Sequence, residues 1–168
     1  MAGAVFHGGA CQVPTCSDNV QTASEASQLP LRAVVIAAVM IDHTGLSMTD
    51  PSASRRFYEQ ALAPLGYEVL MEVPTEFTGG VVVFGMGVPP KPDFWLHQGP
   101  PQTPRIHIAF RADNRALVDA FYRAAIAAGG KDNGPPGLRP HYHQDYYGAF
   151  VLDPDGHNIE ACCHDPQG

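Results

Sequence analysis

Residues 139–164, RPHYHQDYYGAFVLDPDGHNIEACCH, hold four of the chain's eight histidines, a glutamate between Ile159 and Ala161, and two adjacent cysteines. Imidazole, carboxylate and thiolate side chains ligate divalent metals, so the stretch reads as a metal site or as part of one. His141 and His143 are one residue apart, and on an extended segment they would face the same side, as a metal-binding pair does. The same two histidines, with Tyr147, could instead line a pocket as acid, base or substrate contact. A third reading is a polar surface loop, since Pro140 flanks the pair and HQDYY runs on from it. Glu160 is more constrained, because a carboxylate in an apolar strand is costly unless it is paired.

Two more histidines stand far upstream, in IDHTGL (His43) and RIHIAF (His107), and they are 64 positions apart. The same shift, without a gap, lays Phe57 and Tyr58 on Phe121 and Tyr122, Ala61 and Ala63 on Ala125 and Ala127, and Gly66 on Gly130. Matching amphipathic helices explain the Phe and Ala pairs, but not two histidines at equal distances upstream. The spacing therefore points to an internal duplication.

The elements that must position these residues follow the same repeat. A strand over Val34–Met48 leads to a helix capped by Asp50 with Pro51 in its first turn, and Pro64 with Gly66 stops it. Phe57, Ala61 and Leu62 share one face of that helix. The runs YEVLMEV, GGVVVFGMG and DFWLHQ follow as short strands between Pro and Gly breaks. After GPPQTPR the pattern restarts with strand RIHIAFRA, a helix from Arg115 to Ala128 stopped by Gly129 and Gly130, a loop, and two strands. Those last two, AFVLD and NIEACC, form a hairpin across PDGH. His97, His157 and His164 fall at strand ends or turns and are expected to face solvent, and Arg139 reads as a surface residue or as a contact for an anionic substrate.

Composition narrows the partners. A chain of 168 residues that is 45% hydrophobic supports one domain with a sizeable core. The formal charge of −7 disfavours nucleic acid and anionic membrane, leaving a small molecule or another protein. Four cysteines, two of them the neighbours Cys162 and Cys163, make no disulfide framework, and a reducing cytoplasm is expected. No run approaches the roughly 20 apolar residues of a membrane span. Residues 1–32 lack a sustained period and read as a poorly ordered extension, with a single domain over 33–168.

The duplicated βαβββ unit, with IDHTGLSMTDPSASRRFYEQAL opening one copy and AFVLDPDGHNIEA closing the other, resembles the vicinal oxygen chelate superfamily. That group includes glyoxalase I, extradiol dioxygenases and metal-free bleomycin-binding proteins. The resemblance implies an α+β fold of two tandem modules, residues 38–98 and 104–164, whose mixed sheets form a half-open barrel around a metal and substrate cavity. It implies His43 and His107, each on the first strand of its module, and Glu160 on the eighth strand as ligands of a divalent metal (Fe2+, Mn2+, Zn2+ or Ni2+). The fourth family position, a carboxylate in glyoxalase I, falls here on Trp95 or, by the strict shift, on Leu96, and neither binds metal. Two histidines and one carboxylate resemble the extradiol dioxygenase set more than the glyoxalase I set. The expected function is a metal-dependent enzyme on a small oxygenated substrate, with a glyoxalase I-like lyase and a metal-free binding or resistance protein as alternatives. Members of this fold place the site within one chain or across a homodimer.

Overall fold

A computed structural model describes residues 41–166, which lie within one compact unit, Ala38–Gly168. The expectation of a poorly ordered extension over 1–32 lies outside the described residues. Strand β1 (Thr44–Met48) leads into helix α1 (Pro51–Leu62), whose N-cap Asp50 accepts bonds from the backbone N–H groups of Ser52 and Ala53. A turn of 3-10 helix closes α1, and Gly66 takes the left-handed φ of 81° that a side chain would resist. Strands β2 (Glu68–Val73), β3 (Val83–Gly87) and β4 (Phe94–Gln98) complete the first module. The second has β5 (His107–Arg111), α2 (Arg115–Ala127), β6 (Lys131–Leu138), β7 (Tyr147–Leu152) and β8 (Asn158–Cys163).

Each module forms its own four-stranded mixed sheet, in the orders β1-β4-β3-β2 and β5-β8-β7-β6, with the first strand parallel to the last. The duplication is thus present in the topology itself. The two sheets are not closed into a barrel, and β1 and β5 each end a sheet.

Alternation decides which faces meet. Leu46, Met48, Phe84, Met86, Phe94 and Leu96 of the first sheet are buried, as are Ala149, Val151, Ile159, Ala161 and Cys163 of the second. They share one core with Phe57, Tyr58 and Leu62 of α1 and Val118, Phe121 and Ala125 of α2. Helix α1 packs on α2, so each sheet turns one face to the helices and leaves its other face for chemistry. Edge-to-face ring pairs run from Phe57 to Tyr58, Phe94, Phe110 and Tyr67 at 5.0–5.3 Å, crossing between modules at Phe94–Phe110 and again at Phe110–Tyr67. Such pairs contribute about 0.5–1.5 kcal/mol each beyond their burial.

Several expectations are corrected. The first strand starts at Thr44, so His43 precedes it rather than lying on it, and the expected portion over 34–40 lies outside the described residues. KDNGPPGL, read as a loop, is strand β6; as an edge strand it tolerates Pro135 and Pro136 at one of its two register shifts. His157 does not face solvent: it is fully buried, its ring accepting from the Ile106 N–H at 3.3 Å, in a turn that docks on the first module. The Tyr58 hydroxyl donates to Asp153 at 2.7 Å, and the Thr49 backbone N–H donates to Asp155 at 2.9 Å.

Candidate metal centre

The open face of the second sheet carries His107, Ala109 and Arg111 on β5 and Asn158, Glu160 and Cys162 on β8, since their neighbours Phe110, Ile159, Ala161 and Cys163 fill the core. Register sets Glu160 opposite Ala109 on one side and Phe150 on the other. His107 Nε2 lies 3.1 Å from Glu160 Oε2. Glu160 is only 2% exposed although its face is open, because neighbouring side chains cover it.

One cover is Tyr146, whose hydroxyl donates to Glu160 Oε1 at 2.6 Å. Burial, and then Glu160 and Cys162, push this phenol well above its usual range, so it remains a neutral donor. Gly148 makes the contact possible, since a Cβ there would stand 2.8 Å from Glu160 Oε1. Arg139 is no free anion contact: its guanidinium lies over Phe150, 5.5 Å from the ring centre, and donates to Pro135 O at 2.7 Å.

The far nitrogen of His107 is also held. Nδ1 lies 3.1 Å from the Asn158 carbonyl oxygen and 2.8 Å from the Asn158 side-chain amide. A neutral imidazole donates from one nitrogen and accepts at the other, and Asn158 serves both tautomers. With Nδ1 accepting from the amide, Nε2–H donates to Glu160. With Nδ1–H donating to the carbonyl, Nε2 turns a lone pair toward the carboxylate, an arrangement that calls for a cation between them.

A metal fits this pair. Two N/O donors each about 2.1 Å from one metal and about 90–110° apart lie roughly 3.0–3.4 Å from each other. Neutral imidazole and carboxylate suit Fe2+, Mn2+, Zn2+ or Ni2+. The third expected ligand is placed differently. His43 stands ahead of β1 with Nδ1 2.9 Å from Asp42 Oδ1, and Lys91 holds the other Asp42 oxygen. His43 and His107 both line one cleft of about 420 Å³, with Tyr67, Asp93 and Arg111, whereas Glu160 does not line it. Among the described residues no three His, Cys, Asp or Glu side chains come together as a metal site.

Register also settles the fourth position. Gly45 pairs with Trp95 as Ala109 pairs with Glu160, and Gly85 with Trp95 as Phe150 with Glu160. Trp95 therefore matches Glu160, and Leu96, fully buried, belongs to the core. The shift of 64 becomes 65 after the helix.

The HYH residues lie in the turn between β6 and β7 rather than on an extended segment, so one-residue spacing does not align them. His141 lies tilted against Tyr142, 4.2 Å between ring centres, and Tyr142 meets Tyr146 at 5.3 Å. His143 faces His164 at 5.9 Å, and His164 meets Tyr146 at 5.0 Å. Tyr147 points the other way: its hydroxyl donates to Asp119 of α2 at 2.8 Å, and Arg115 lies over its ring. Ala149 and Val151 face the core, so Tyr147 does too, and Tyr146 shares the open face with Gly148 and Phe150. That alternation was available in the sequence and points to Tyr146; the role of Asn158 left no comparable signal.

A family model for the Glyoxalase/Bleomycin resistance protein/Dioxygenase superfamily matches residues 40–161. The chain belongs to this superfamily. No curated protein matches it. Among solved structures, a glyoxalase/bleomycin resistance protein from Albidiferax ferrireducens T118 is 27% identical at TM-score 0.56, covering 75% of this chain and 99% of its own. A superfamily domain from Frankia sp. EAN1pec shares the fold at TM-score 0.58 and 17% identity, covering 74% of this chain and 97% of its own. A glyoxalase I mutant from Zea mays shares it at TM-score 0.54 and 18% identity, with 73% of this chain matching 43% of that one. The superfamily includes enzymes, and its two-module fold is the one described above. Among the described residues, no helix is long and apolar enough to cross a membrane.

Proposed function

We propose that the chain is a metal-dependent enzyme acting on a small oxygenated substrate, with a ligand set nearer to an extradiol dioxygenase than to glyoxalase I. The observation that carries this reading is the convergence of His107 Nε2 and Glu160 Oε2 at 3.1 Å on an open sheet face, with the carboxylate 2% exposed. A buried carboxylate with one imidazole and one phenol around it keeps its negative charge best beside a cation.

His107 and Glu160 would hold the divalent metal, with His43 as third ligand from a second copy of the chain in a homodimer. When bound, the metal would grip two substrate oxygens and, as a Lewis acid, stabilise the negative charge that develops on them. Asn158 orients the His107 ring so that Nε2 presents its lone pair. Tyr146 keeps Glu160 in place, and the His143–His164 pair beside it would be the candidate acid or base. The cleft beside His107 is of a size for a small molecule, and Arg111 on its wall would favour an anionic one. Trp95, where glyoxalase I has a carboxylate, weighs against the lyase. The free, buried thiols Cys162 and Cys163 suit a reducing compartment such as the cytoplasm.

Metal analysis of protein purified without chelator, repeated on His107→Ala and Glu160→Gln, tests the reading. The expected result is a stoichiometric metal lost in both variants, with oxygen uptake on a catechol panel in Fe2+-loaded protein. Activity on methylglyoxal with glutathione would instead favour the lyase. A wild type that stays metal-free and binds an aromatic drug would replace both with a binding protein.

A further inference from the structure

Glu160 offers two oxygens, and the fold treats them differently. Oε2 faces His107 at 3.1 Å, whereas Oε1 accepts from the Tyr146 hydroxyl at 2.6 Å. The Tyr146 ring is itself fixed, edge-on to Tyr142 at 5.3 Å and to His164 at 5.0 Å. Tyr142 in turn meets His141 at a tilt, and His164 meets His143 edge-on. Gly148 leaves the space for the hydroxyl, and with Glu160 2% exposed there is little water to replace the bond. The aromatic turn that makes the sequence conspicuous thus converges on one oxygen atom.

We infer that Tyr146 is a positioning residue which, braced by the His141–His143 turn and His164, occupies Glu160 Oε1 so that the carboxylate presents one oxygen, Oε2, beside His107. The inference rests on the metal reading above and gives the HYH segment a role within it: the turn acts through Tyr142 and Tyr146, without ligating. A carboxylate that gives one oxygen leaves more positions open to a two-oxygen substrate than one that gives both.

The test uses Co2+ as a spectroscopic probe on the full chain, comparing wild type, Tyr146→Phe and Glu160→Gln. Phe keeps both ring contacts and removes one hydroxyl, so far-ultraviolet circular dichroism in chelator, which reads the backbone, should match wild type. Tyr146→Phe is expected to weaken Co2+ binding by about 10–100-fold and to change the visible absorption of bound Co2+, a signature that a role in folding alone would not move. Infrared difference spectra of Co2+-loaded minus chelated wild type give a second measurement that needs no variant. The expected result is a carboxylate with widely split stretching bands, as for one-oxygen ligation. Narrowly split bands, from two-oxygen ligation, would overturn the inference. So would a Tyr146→Phe that binds Co2+ with wild-type affinity and spectrum while Glu160→Gln has lost it, and the metal reading would then survive. A wild type that takes up no Co2+ overturns both.

Discussion

His107 and Glu160 face each other across paired strands, Nε2 to Oε2 at 3.1 Å, with Asn158 holding the opposite side of the imidazole. Even without metal this pairing satisfies a buried carboxylate. Removing the ring in His107→Ala leaves Glu160 with Tyr146 alone, and an unsatisfied buried acceptor costs roughly 1–3 kcal/mol. Urea unfolding in chelator should show that loss, and adding Glu160→Gln should recover part of it because a neutral amide is cheaper to bury. An unchanged midpoint in His107→Ala would mean that water already serves Glu160.

If a second copy supplies His43, ligands can be traded between chains. In a twofold dimer, mixing His43→Ala with Glu160→Gln chains gives half heterodimers, each with one intact site and one doubly damaged, so bound metal should return to about a quarter of wild type. Each variant alone should bind almost none. Sites built within one chain would give no recovery on mixing, and the measurement is metal per chain after co-refolding and desalting.

Much of this arrangement was legible in advance, and the remainder failed for identifiable reasons. The repeat placed His107, and the cost of a lone Glu160 between apolar neighbours marked it as paired, because burial and alternation act locally. Trp95 against Leu96 was undecidable, since β2 and β6 carry register shifts that leave no mark in composition, and one extra residue moves a side chain to the other face. The same parity separates Tyr146 from Tyr147. KDNGPPGL reads as loop because proline weakens a ladder, yet an edge strand needs fewer ladder bonds. His157 looked like a turn residue, yet it is buried in a turn that docks on the other module through Asp153 and Asp155, a contact that no local pattern encodes.

That contact sets a pH dependence. Burial raises the Asp153 carboxyl above the ordinary carboxylate range, with nearby Asp155 adding to it, while the Tyr58 hydroxyl and the His157 backbone N–H and ring pull it down. Its folded value thus exceeds its unfolded one, so the stability it contributes is complete below the unfolded value and is lost as pH rises through the folded one. Asp153→Asn removes the titration. Urea midpoints from about pH 3.5 to 7, a span that starts just below the unfolded carboxylate value, should therefore show wild type losing ground to Asp153→Asn as pH rises. A difference that stays constant with pH would sink the assignment.

Cys162 lies on the open face two residues past Glu160, yet it is 7% exposed, and burial, with Glu160 and Cys163 adding to it, raises its thiol above the usual value. The Tyr146 hydroxyl beside the sulfur acts against this. Since the thiolate is the reacting form, Cys162 should be slow toward a disulfide reagent in the folded protein and fast in denaturant. With Cys11 and Cys16 replaced by Ser, one reads Cys162 and Cys163 alone, and both should stay largely unreacted at mildly alkaline pH. Tyr146→Phe takes away that opposing hydroxyl and opens no new path for the reagent, so Cys162 should become no faster. Rapid labelling of Cys162 in folded wild type would show that the face beside Glu160 opens to solvent far more than its burial indicates.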